Sequence, residues 1–273
     1  MTWDGYYVSI MSIYYYIQFM SDVIDYKVHG DDVQFVQTIL DPGEAIVAEA
    51  GTMFLKDPEI SIQTSVEWGF KKWIGRIFTG ESFFIPTFTN TGSSRKQVFF
   101  SAPYMGKIIS LDLAKLWWEF ICQKSSFICA AKWTELEVAF TKKIWWGFFG
   151  GEWFILQRIK WDGMAFIHAG GSIIKMDLQA GKKLQVDTGC IVWFSPSVEY
   201  SVEFVGGIKN SLFGGEWLFL TTLSGPGTVY LQSLPFSRLA DSVLAAAGSV
   251  GRKWDSGAGG LWDIASIAWK LMR

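Results

Sequence analysis

Phe148-Phe149-Gly150-Gly151-Glu152-Trp153-Phe154-Ile155 decides the fold, because the chain repeats it. Leu212-Phe213-Gly214-Gly215-Glu216-Trp217-Leu218-Phe219 has the same order of residue types, and so does Ile77-Phe78-Thr79-Gly80-Glu81-Ser82-Phe83-Phe84. Each is an apolar pair, a small residue, Gly-Glu, one variable residue and an apolar strand. The Gly-Glu pairs lie 71 and 64 residues apart, a period that suits a whole supersecondary unit. A second set of turns runs in phase with the first: Leu40-Asp41-Pro42-Gly43-Glu44, Leu111-Asp112-Leu113 and Asp177-Leu178-Gln179-Ala180-Gly181. Each is followed by a strand and another turn, at Ala50-Gly51, Lys124-Ser125 and Thr188-Gly189.

The segments between turns read as strands. Val33–Ile39, Ile60–Thr64, Val198–Phe204 and Thr228–Leu231 alternate with period 2, as a half-buried antiparallel sheet requires. Gly225-Pro226-Gly227 is a turn. The reading is an all-β fold of pseudo-threefold repeated antiparallel architecture, a β-sandwich or prism, with a short C-terminal helical tail. Residues 20–235 form the repeat domain, and 236–273 a Gly-interrupted tail with helical spacing over Phe236–Ala247 and Leu261–Leu271. Residues 1–19, with an uncharged run from Tyr6 to Met20, read as a non-native or disordered extension ahead of a start at Met20. The alternative is a membrane-leaning segment, although the run is short for a span.

Composition bounds the function. Half of the 273 residues are hydrophobic, enough for a sizeable core. A net charge of −2 argues against nucleic acid, since phosphate contacts need clustered Lys and Arg. Cys122, Cys129 and Cys190 are an odd number without a CxxC pair, which points to a reducing, cytoplasmic setting.

With these residues in place, the chain resembles the altered inheritance of mitochondria protein 24 family, widespread in bacteria, whose fold is similar to that of the tryptophan RNA-binding attenuator protein. The resemblance covers about residues 24–235. It rests on the three Gly-Glu segments and the Leu40–Glu44 turn, on Ala48-Glu49-Ala50-Gly51-Thr52-Met53, Ala102-Pro103-Tyr104-Met105-Gly106-Lys107-Ile108 and Val205-Gly206-Gly207-Ile208-Lys209, and on Leu223-Ser224-Gly225-Pro226-Gly227. It implies a pseudo-threefold β architecture and little about activity. Mitochondrial relatives are linked to inner-membrane organisation, which is an analogy here. RNA or tryptophan binding does not carry over, because the Lys/Arg–aromatic pattern it needs is not visible.

The fifteen tryptophans are oddly placed. Trp153 and Trp217 follow Gly-Glu where the first repeat has Ser82, and where the resembled family usually has glycine. Trp161-Asp162-Gly163 stands where the third repeat has Gly225-Pro226-Gly227, and Trp133, Trp145, Trp254 and Trp262 lie in turn-like contexts. A turn position with positive φ penalises a bulky side chain by roughly 1–2 kcal/mol. The expectation is that many of these are glycines, read from UGA codons in a genome where UGA encodes glycine. The alternative is that they are genuine aromatic anchors of a membrane-interface belt.

Chemistry-bearing constellations are few. His29 and His168 are isolated, and a lone histidine is more often structural than a ligand or base. Glu81, Glu152 and Glu216 are equivalent by repeat, so a threefold ring of carboxylates is a weak metal candidate against the simpler reading of three turn caps. No residue pairs a nucleophile with a base, so the expectation is not an enzyme and no cofactor. The segments around each Gly-Glu are more informative. Lys71, Lys72, Ile77 and Phe78, then Lys142, Lys143, Phe148 and Phe149, then Lys209, Leu212 and Phe213 interleave basic and apolar residues. Apolar surface rimmed by charge marks an oligomer or membrane contact, although these residues also suit the domain's own core. The functional expectation is a non-enzymatic scaffold or interaction protein, homo-oligomeric and peripheral to a membrane surface or membrane protein. The alternative is a small-ligand or metal-binding module with a pseudo-threefold pocket.

Overall fold

The computed structural model describes residues 21–64, 85–116, 118–143, 153–160, 162–205 and 218–251. It holds nineteen strands and a helix in chain order. A lead strand β1 (Asp25–His29) precedes the first unit: β2 (Phe35–Leu40), β3 (Ala45–Ala48), β4 (Met53–Lys56), β5 (Ile60–Thr64), β6 (Pro86–Asn90) and β7 (Lys96–Ser101). The second unit is β8 (Lys107–Asp112), β9 (Glu119–Gln123), β10 (Phe127–Ala131), β11 (Glu135–Lys143), β12 (Trp153–Lys160) and β13 (Met164–Ala169). The third is β14 (Ile173–Leu178), β15 (Lys183–Asp187), β16 (Ile191–Phe194), β17 (Glu199–Val205), β18 (Leu218–Ser224) and β19 (Gly227–Gln232), followed by α1 (Phe236–Gly251).

One pairing rule recurs in all three units. The sixth strand pairs with the first and the third: β7 with β2 and β4, β13 with β8 and β10, β19 with β14 and β16. The fifth pairs with the second and the fourth: β6 with β3 and β5, β12 with β9 and β11, β18 with β15 and β17. Even the irregularities coincide. The third strand of each unit slips in register at one place, between Met53 and Leu55, Phe127 and Cys129, and Ile191 and Trp193. The turn signals in the sequence mark the same joints, and the architecture is all-β and antiparallel as the alternation predicts.

Neighbouring units share sheets. Antiparallel β3·β10 joins the first unit to the second, and β9·β16 joins the second to the third. The result is four sheets: β1-β2-β7-β4, β5-β6-β3-β10-β13-β8, β11-β12-β9-β16-β19-β14 and β15-β18-β17. Three core clusters lie between them in succession. The first packs Val36, Leu40 and Phe100 of the first sheet on Ile46, Phe88 and Phe166 of the second. The next packs Phe127 and Ile167 of the second sheet on Phe120, Ile159 and Val192 of the third, and the last packs Leu156 and Phe194 of the third on Leu223 of the fourth. The inner sheets are therefore buried on both faces, and all five residues of β10 are inaccessible to solvent.

Among the described residues, two non-glycine residues have positive φ, and both are tryptophans: Trp118 at 69° and Trp133 at 77°. Trp133 occupies the third position of a β-turn closed by the Thr134 N–H on the Ala131 carbonyl at 3.2 Å. A positive φ there is the type II geometry that favours glycine. Trp118 follows the helical turn Leu113–Leu116 and donates its N–H to the Leu113 carbonyl at 2.9 Å, a chain reversal usually carried by glycine. Trp153 opens β12 as an ordinary strand residue, while Trp145, Trp161, Trp217, Trp254 and Trp262 lie outside the described residues. Replacing Trp133 by glycine relieves a strain of roughly 1–2 kcal/mol. It forfeits a contact of Lys132 Nζ over the indole at 5.0 Å, worth about 0.5–1 kcal/mol. Trp133→Gly is expected to raise the thermal midpoint by about 2 °C in a melting experiment.

Candidate functional site

The three basic–apolar segments fall at one topological position. Residues 65–85, 144–152 and 206–217 each join the fourth and fifth strands of a unit, as the connections of the antiparallel pairs β5·β6, β11·β12 and β17·β18. Lys142 and Lys143 end β11, in register with Phe154 and Trp153 of β12. Lys71, Lys72, Ile77, Phe78, Phe148, Phe149, Lys209, Leu212 and Phe213 lie outside the described residues, as do Glu81, Glu152 and Glu216. Among the described residues, no group of three His, Cys, Asp or Glu is placed to hold a metal ion.

A cleft that the sequence does not announce runs between the second and third units. Its volume is about 920 Å³, and Asp112, Lys115, Glu119, Lys175, Trp193 and Tyr230 are among its lining residues. The adjacent strands β16 and β19 form part of its wall, with Trp193 opposite Tyr230 and their rings stacked at 4.7 Å and 19°. The Trp193 indole N–H is buried without a hydrogen-bond partner. Among the described residues, three of the four charged lining residues are in ion pairs, and Lys175 is not. Lys115 Nζ lies 2.8 Å from Asp112 and holds that carboxyl below its ordinary range, and Glu119 lies 3.6 Å from Arg158. Ser195 Oγ accepts from the Thr228 N–H at 3.0 Å, so this hydroxyl serves the backbone. Lys175 Nζ lies 6.0 Å from the centre of the Tyr230 ring, beside this aromatic pair.

The buried reactive residues are enclosed. Cys122, Cys129 and Cys190 are free and buried, and burial is the main cause that raises each thiol above its ordinary value. Such thiols are unreactive. His168 lies within β13, one residue before its end, and is 0% exposed. Tyr104 meets its ring edge-on at 4.5 Å, and a Cβ at Gly106 would collide with the imidazole. That close approach explains the glycine. Phe236, the first residue of α1, packs on Tyr104 in turn at 5.2 Å. No described helix is long and apolar enough to cross a membrane, and the predicted second stretch, Leu261–Leu271, lies outside the described residues.

The comparisons with known proteins agree with this geometry. The sequence pattern of the family described as Mitochondrial biogenesis AIM24 matches residues 26–234, which holds almost the whole strand array. Among solved structures, the crystal structure of protein SPYM3_0169 from Streptococcus pyogenes is similar, with a TM-score of 0.65 and 19% identity. The match covers 82% of this chain and 99% of that one, and at this identity it speaks for the fold alone. No curated protein matches the chain.

His168 makes stability depend on pH. Neither ring nitrogen has a hydrogen-bond partner, and burial lowers the imidazole from its ordinary value to about 4. The unfolded chain, with its histidine near 6.5, therefore binds more protons between those values. Stability from this group is complete above about pH 6.5 and is lost as pH falls towards 4, by up to about 3 kcal/mol. Chemical denaturation from pH 7 to pH 4 is expected to show this slope, and His168→Leu to flatten it.

Proposed function

The chain belongs to the mitochondrial biogenesis AIM24 family, and from that membership we propose a non-enzymatic scaffold that meets a membrane surface through its basic–apolar connections. The observation that carries this reading is the recurrence of those connections at one place in each unit. Lys71, Lys72, Lys142, Lys143 and Lys209 supply the charge, and Ile77, Phe78, Phe148, Phe149, Leu212 and Phe213 the apolar contact. Anionic headgroups attract such lysines at about 1 kcal/mol each near the surface. Three free, buried cysteines support a reducing, cytoplasmic setting. The second reading, a small-ligand module, is favoured by the cleft with its Trp193–Tyr230 stack rather than by a threefold pocket.

Vesicle flotation of the full chain separates the two. Flotation with phosphatidylglycerol vesicles, weakened by salt and reduced several-fold in Lys142→Glu/Lys143→Glu, is the expected outcome. Failure to float at any lipid composition would remove the membrane reading and leave the cleft as the site to pursue.

A further inference from the structure

Two strand edges are left over by the pairing rule. The second strand of one unit pairs with the third strand of the next, as β3·β10 and β9·β16. The second strand of the last unit, β15, and the third strand of the first, β4, end their sheets without a partner among the described residues. They are the same two structural positions, met at the two ends of the chain. The core clusters form an open series across the four sheets, and among the described residues none joins the first sheet to the fourth.

Exposure marks the vacancy. Leu55, Cys129 and Trp193 are equivalent, each following the register slip of its strand. Cys129 is 0% exposed and Trp193 3%, because a neighbouring unit covers each, whereas Leu55 is 47% exposed and the adjacent Phe54 53%. Phe54 stands in an aromatic group with Phe35 at 5.3 Å and Phe99 at 6.0 Å. Phe99 pairs with Leu55 as Phe166 pairs with Cys129 and Tyr230 with Trp193, and both of those equivalents pack into the preceding unit's core. The last core cluster, by contrast, receives nothing from a following unit.

We propose that the β4 edge of one copy of this chain adds to the β15 edge of another, head to tail. The junction continues the internal ones. It merges the four-stranded and three-stranded end sheets into one sheet of seven, and brings Leu55 and Phe99 onto the open side of the last core. The register follows from the repeats. Ala48 faces Cys129 and Cys122 faces Trp193. Cys122 and Val186 each stand two residues ahead of a helical turn, so Val186 is the residue opposite Leu55. One place along, Ala130 faces Val47, which sets Lys56 opposite the exposed Gln185. A head-to-tail contact of this kind closes into a ring or runs on as a filament. This inference stands apart from the membrane reading, since the edges and the basic connections are different surfaces.

Light scattering after gel filtration is expected to give a multiple of the 30.8 kDa chain mass. Gln185→Lys, which sets two lysines face to face, is expected to lower the association constant at least tenfold with an unchanged circular-dichroism spectrum. Gln185→Glu is expected to raise it. The double variant Leu55→Cys/Val186→Cys, oxidised, is expected to yield a ladder of linked chains on a denaturing gel. A linked monomer instead of a ladder would mean that one chain closes on itself and would overturn the proposal. So would a monomer at every concentration, or an oligomer indifferent to Gln185→Lys.

Trp118 and Trp133 carry a separate inference. Gly43 and Gly181 lead into β3 and β15 with φ of 89° and 76°, and Trp118, at 69°, leads into the equivalent β9 from one place nearer its strand. Trp133 sits at the glycine position of its turn. We infer that the codons at 118 and 133 are UGA and that the host inserts glycine there. Peptide mass spectrometry on the protein purified from its own organism is expected to find glycine at both positions. Tryptophan at either one, or a UGG codon, would overturn the inference.

Discussion

The structure depends on satisfying sheet edges. One unit is two three-stranded half-sheets, and a half-sheet alone leaves a row of unpaired N–H and C=O groups along each side. The ladders β3·β10 and β9·β16 cover one such row on each half-sheet by fusing the half-sheets of successive units into sheets of six, which end at β5 and β8 and at β11 and β14. The second unit is built into both fused sheets. The core clusters follow from the same step, since each fused sheet brings residues of one unit onto the core of the one before it.

Burial on both faces then dictates side-chain size. Along β10, Phe127 and Ala130 point to one cluster while Ile128, Cys129 and Ala131 point to the other. Ala130 and Ala131 allow the layers to approach. A polar group in this interior is cut off from water, which is why the thiols of Cys122 and Cys129 are pushed up and the His168 imidazole is held neutral. Cys122, Cys129 and His168 are thus enclosed by the packing of the sheets. The surfaces proposed for contact with other molecules, the connections, the cleft and the ends of the sheet series, lie away from these groups.

Much of this is legible in the sequence because half-buried strands alternate. Phe35–Leu40 alternates half-buried and buried without a break. Strand β10 gives no such signal, since Phe127–Ala131 is apolar throughout, and two buried faces erase the period. Pairing order was not readable either. The Gly-Glu repeats revealed three units, but not that β3 reaches past its own unit to β10. Trp133 betrays itself beside a turn, while Trp118, in the doublet after Leu116, carries no local sign of positive φ. The cleft has no sequence signature because Lys175, Trp193 and Tyr230 come from three strands.

Equivalent positions show how far the repeat binds the chain. Leu55, Cys129 and Trp193 share a backbone irregularity yet have three different side chains. A register slip is a property of the ladder and survives any residue that tolerates it. The side chain answers to what lies opposite: tight sheet packing at Cys129, a ring partner at Trp193 and open surface at Leu55. Pseudo-symmetry therefore fixes where strands go and leaves each unit free to diverge at its surface. A series of units joined second strand to third must also end with one of each edge unspent, whatever its length. The open edges at β4 and β15 are a consequence of the rule that holds the middle together.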